Sequence, residues 1–119
     1  MSEEASEDLE PEVDIVANGP EDVPEDPDDP VTVELKPLGQ RFTIIHPSPA
    51  QNFQWTNQNK VSNNNHDLVS LNKKYWKNCV QAEDAQKPSL FDLQGSEEKD
   101  KAFTFFVSYF RQHFLGMRG

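Results

Sequence analysis

Thirteen of the first thirty residues are Asp or Glu and none is Lys or Arg, while the rest of the chain carries all eleven basic side chains and eight acidic ones. Like charges at that density repel one another, and Pro11, Pro20, Pro24, Pro27 and Pro30 interrupt any helix. Little apolar surface is present to offset the entropy lost on ordering. Residues 1–30 are therefore expected to form a disordered acidic tail, which leaves 31–119 to fold. The net charge of −10 hides a mildly basic body behind that tail.

A chain of 119 residues has room for one small domain. Its 34% apolar content and mean hydropathy of −0.81 are low for a globular protein, and much of the deficit lies before Val31. Cys79 is the single cysteine, so no internal disulfide can form. The opening MSEEASEDLE lacks the basic-then-apolar pattern of a leader, and a reducing compartment, cytosol or nucleus, is expected. The most apolar stretch, from Ala102 to Leu115, contains Arg111 and His113 and falls short of the roughly twenty apolar residues a bilayer requires. No membrane partner is expected.

From Val31 the pattern changes. Val31, Val33 and Leu35 alternate with Thr32, Glu34 and Lys36, and Arg41 to His46 supplies a second β-rich run. Pro37 to Gln40 between them has turn chemistry, so a hairpin over 31–46 is expected. Residues 50–66 are dominated by amides and read as a loop, with Phe53, Trp55 and Val61 spaced to anchor it on a core. Asp67 is a candidate N-cap for a helix over 68–84, whose stripe is Leu68, Leu71, Tyr75, Trp76, Cys79 and Val80. Ser96, Glu97 and Glu98 open a second helix over 97–115, which Gly116 stops. The fold class that results is α+β: one small domain in which a hairpin packs on two helices, preceded by the acidic tail.

The second helix carries more rings than a surface helix needs. Phe103, Phe106 and Phe110 are assigned to the core, and Phe105 and Tyr109 fall on a flank. That flank, with Trp76, is the candidate partner-binding surface, because exposed aromatic anchors commonly carry protein interfaces. Lys73, Lys74 and Lys77 around Tyr75 and Trp76 are the candidate nucleic-acid contacts, but three lysines are few and an acidic tail competes with phosphate. Nucleic acid is therefore not the expected partner. Cys79 sits on an apolar stripe, and the three histidines have neither metal-ligand spacing nor an evident partnership with it. Neither a catalytic residue, a metal site nor a cofactor is expected.

Val13, Asp14, Ile15 and Val16 stand among carboxylates in the tail, and this run resembles a SUMO-interacting motif. The resemblance implies strand addition to the modifier, with acidic flanks meeting its basic surface. The ending Phe114 to Gly119 is similar to the F-x-G-x-R ending of invertebrate tachykinin-related peptides. No dibasic site precedes it, so it is read as a helix end. The expected function is a non-catalytic adaptor or regulatory subunit that binds another protein through the aromatic helix surface, with SUMO binding or nucleic-acid association as the alternative.

Overall fold

Alternation of β-branched and polar residues from Val31 builds the centre of a four-stranded sheet. The computed structural model describes residues 13–62, 65–83 and 87–116. Strands β2 (Val31–Leu35) and β3 (Gln40–Ile44) pair antiparallel, with Val31 opposite Ile44 and Val33 opposite Phe42. Gly39 takes φ 66° in the connecting turn, where its N–H reaches the Leu35 carbonyl at 2.8 Å. Strand β1 (Ile15–Ala17) adds parallel to β2, and β6 (Val80–Ala82) adds antiparallel to β3, giving the order β1-β2-β3-β6. Every second residue faces the core: Ile15, Ala17, Val31, Val33, Leu35, Phe42, Ile44 and Val80. The opposite face carries Val16, Thr32, Glu34, Arg41, Thr43 and Gln81.

Strand β1 lies where a disordered tail was expected, so for residues 13–30 the structure differs from the charge argument. Ile15 and Ala17 have the same two-residue period as β2, and Ala17 is fully buried. The carboxylates here act as hydrogen-bond acceptors. Asp14 takes the Thr32 N–H at 3.2 Å, Asp22 the Asn18 N–H at 2.7 Å, and Asp29 the His46 N–H at 2.8 Å. A short 3-10 turn, Pro20–Asp22, packs against the C-terminal helix. The expectation for residues 1–12 lies outside the described residues.

Helix α1 (Pro49–Gln58) replaces most of the expected amide-rich loop. Ser48 caps it by accepting the Gln51 N–H at 3.1 Å, and Pro49 stands in the first turn, where its missing N–H costs nothing. The amides that suggest a linker partly serve tertiary contacts. Asn52 accepts the Tyr75 hydroxyl at 2.7 Å and donates to the Phe114 carbonyl at 2.6 Å. Only Trp55 of the three expected anchors is half-buried; Phe53 and Val61 are exposed. A small antiparallel pair, β4 (Lys60–Ser62) and β5 (Asn65–His66), joins α1 to the next helix.

Helix α2 (Leu68–Cys79) starts at its N-cap Asp67, which accepts the Ser70 N–H at 3.1 Å. It ends five residues before the expected 84, because Val80 turns extended to pair with Ile44. Helix α3 (Glu97–Tyr109) is capped by Ser96 and carries Glu97, Glu98 and Asp100 in its first turn. It continues as a π turn, Phe110–Phe114, in which the Leu115 N–H bonds the Phe110 carbonyl at 3.0 Å. The wider turn brings Phe114 back over Phe110, with ring centroids 5.3 Å apart and planes 18° from parallel. Gly116 at φ 69° follows it.

The core assignment within α3 is corrected. Phe105 and Tyr109, expected on a flank, are both at 0% exposure, and Phe103, expected in the core, is half-buried against Phe91. Several neighbours set this rotation. Phe106 stands edge-on to Phe42 at 5.1 Å and to Trp76 at 4.8 Å, and Tyr109 meets the ring of His46.

Candidate functional site

Burial removes the expected aromatic surface. Trp76 is 4% exposed, and its indole N–H is committed to the Pro88 carbonyl at 2.8 Å. With Phe105 and Tyr109 it belongs to the core, so these three side chains do not present a patch to a partner. A wide apolar arc on a helix is ambiguous in sequence because two layers can cover it. Here the sheet, α2 and the segment 15–30 do so together.

The exposed apolar side chains lie elsewhere. Phe53 is 71% exposed on α1, Val61 68% on β4, and Leu68 and Val69 are 39% and 53% exposed in the first turn of α2. These four fall within the unit α1-β4-β5-α2, which is tied together by the Asp67 N–H on the Asn59 carbonyl at 2.7 Å; Val16 on β1, at 46%, and Ile45 just after β3, at 39%, are the other exposed large apolar side chains among the described residues. Sequence reasoning spent Phe53 and Val61 as anchors for a loop. The capping pair Ser48 and Pro49 was the signal that a helix begins there, with Phe53 turned away from the Asn52 side.

Among the described residues, the buried side-chain polar atoms have hydrogen-bond partners with one exception. The His46 Nε2 lies 2.8 Å from the Tyr109 hydroxyl. Burial lowers the His46 pKa, opposed by the charge of Asp29, and the tautomer of the ring sets which of the two groups donates in that bond. Burial pushes the Tyr109 hydroxyl well above its ordinary value and the Tyr75 hydroxyl up to about 12. The His113 ring donates to the Pro24 carbonyl at 2.6 Å, beside the Gln112 amide at 3.0 Å. Lys87 places its ammonium over the Trp76 ring and donates to the Trp76 and Val80 carbonyls, at 2.7 and 2.5 Å. The exception is the Asn72 Oδ1, which is buried with no hydrogen-bond partner.

Cys79 is buried, and desolvation, with the Asp29 charge adding to it, pushes its thiol up to about 11. That shift disfavours the thiolate a nucleophile requires. Among the described residues no group of His, Cys, Asp and Glu is arranged to hold a metal ion. Among them, too, no helix is long and apolar enough to cross a membrane. Lys73 and Lys77 are exposed on α2, and the Lys73 ammonium stands 5.5 Å from the centre of the Phe91 ring. The run Val13 to Val16 contributes Ile15 to the protein's own core and leaves Val16 46% exposed. No family model, no curated protein and no solved structure matches the chain.

Proposed function

We propose that this chain is a non-catalytic protein-interaction module, an adaptor or regulatory subunit, whose contact surface lies on the α1-β4-β5-α2 unit. The observation that carries the reading is the exposure of Phe53, at 71%, in a body whose other large rings are buried or half-buried. A ring left in water forgoes roughly 1.5–3 kcal/mol that the same ring recovers when an interface closes over it. Leu68 and Val69 supply further aliphatic surface in the same unit. The three residues first suggested by sequence are replaced in this role by Phe53, Val61, Leu68 and Val69.

The test is affinity capture with the full chain and with Phe53→Asp and Leu68→Asp, read beside thermal melting. The reading expects partners held by the parent chain to be lost by both variants at unchanged melting temperature. Retention of the same partners by both variants would place the contact surface elsewhere, and a large drop in melting temperature would make Phe53 a structural residue.

A further inference from the structure

Four of the eleven basic side chains, Lys60, Lys73, Lys74 and Lys77, lie within residues 49–79, where Asp67 is the only carboxylate. That carboxylate is committed to capping α2 through Ser70. Segment 13–30 holds seven carboxylates and no basic residue. The unit that exposes Phe53, Val61, Leu68 and Val69 is thus a basic region of an acidic chain. Its lysines and aliphatic side chains are contiguous. Lys60 pairs with His66 across β4 and β5, and the Asp67 N–H on the Asn59 carbonyl closes the same end, so Lys60 and Val61 stand beside the first turn of α2. Along α2, Val69, Lys73 and Lys77 recur every four residues and all three are exposed, so they form one row with about 6 Å between successive members. The Lys73 ammonium stands over the Phe91 ring. Among the described residues no ion pair involves Lys60, Lys73 or Lys77.

Charge and apolar surface together select what can dock there. Phosphate would satisfy the lysines but not the aliphatic side chains, and single-stranded nucleic acid needs rings on which to stack its bases. The rings that α2 carries, Tyr75 and Trp76, are buried. A second copy would bring the same lysines to the same surface and be repelled. Carboxylates four residues apart on a helix repeat at the spacing of Lys73 and Lys77, and a leucine stripe beside them can cover Leu68 and Val69. Resting on the contact surface proposed above, we propose that its partner is an acidic amphipathic helix of another protein, laid along the exposed row of α2. The lysines supply the selection and the aliphatic side chains supply the buried area.

The experiment titrates the full chain with a helical peptide of glutamate, leucine and alanine, in which glutamate recurs every four residues beside a leucine stripe, and with its lysine-for-glutamate twin, while backbone amide shifts are followed by NMR. The acidic peptide is expected to bind, to shift the amides of residues 60–61 and 68–77, and to weaken as salt is raised, whereas the twin stays unbound. Lys73→Glu combined with Lys77→Glu is expected to weaken the acidic peptide about tenfold and to favour the twin. Lys60→Glu combined with Lys77→Glu leaves the contact of Lys73 with Phe91 in place and serves the same purpose should the first pair lower the melting temperature. Leu68→Gln combined with Val69→Thr, which leaves every charge unchanged, is expected to weaken the peptide as well. Equal binding of the two peptides, shifts confined to other elements, or unchanged affinity in the charge-reversed chains would overturn the acidic partner; loss of the peptide by the Leu68 and Val69 variant would then leave the contact surface standing. Unchanged affinity in that variant would remove the contact surface too. Tighter binding of oligouridine than of the acidic peptide would give the surface to nucleic acid, and self-association abolished by the lysine reversals would give it to a second copy; either overturns the proposal.

Discussion

Helices α1 and α3 are of similar length and both carry aromatic rings, yet they meet opposite fates. Helix α3 buries Phe105, Phe106 and Tyr109 completely; α1 buries no residue and holds Phe53 in water. The difference arises from what lies across from each helix. Opposite α3 stand the sheet with Phe42, helix α2 with Trp76, and the turn at Pro20–Asp22, so rings on more than one face find partners. Helix α1 is held along one side, by Trp55 against Tyr75 and by Asn52. A ring's own hydrophobicity does not decide whether it becomes core or contact surface.

Truncation should separate the two helices most sharply. Phe105→Ala is expected to cost about 3–5 kcal/mol in denaturant unfolding, whereas Phe53→Ala should stay within about 0.5 kcal/mol. Comparable losses from the two would collapse the distinction. A smaller effect tests the link between the helices. Tyr75→Phe deletes the hydroxyl that reaches Asn52 and is expected to cost about 1–2 kcal/mol, read as a shift in the unfolding midpoint at constant slope. Ser48→Ala removes the cap of α1 and should cost about 1 kcal/mol; amide exchange is expected to quicken in α1 and to stay slow in α3.

The smallest effect is one of pH. The pKa of His46 is lowered by folding from its ordinary 6.5, so the unfolded chain binds this proton more readily than the folded one. The contribution is complete above about pH 6.5 and is lost as pH falls from there toward the lowered value. Stability measured from pH 7.5 downward should show that slope in the parent chain and a flatter one in His46→Gln. An equal slope in both would remove His46 from the account.

Much of the sheet and the caps was legible because their signals are local. The period of Val31, Val33 and Leu35, the turn at Gly39, and the caps Asp67 and Ser96 each act within a few residues. Strand β1 was missed because composition averaged over thirty residues outweighs three residues of alternation, and its pairing to β2 spans a sequence separation of about 18. Helix α1 was missed because the amide-rich composition was read as a linker, although only Asn of the two amides is a weak helix former, and the cap at Ser48 was not weighed against it. The site residues were misassigned for a different reason. An α-helical wheel drawn through residues 97–115 cannot contain a π turn, nor does it reveal that Phe103 would be left to Phe91 while Tyr109 went to His46.

Asn52 gives the surface on α1 one further property. Its single amide joins α1 to α2 through the Tyr75 hydroxyl, and to the end of the C-terminal turn through the Phe114 carbonyl. Lifting α1 away would strand a buried phenol and a carbonyl at once, so Phe53 is carried on a platform assembled during folding. A partner docking there meets a preorganised backbone, and the ordering entropy that flexible recognition segments lose on association has already been spent. Binding through that surface should therefore proceed with little change in backbone order.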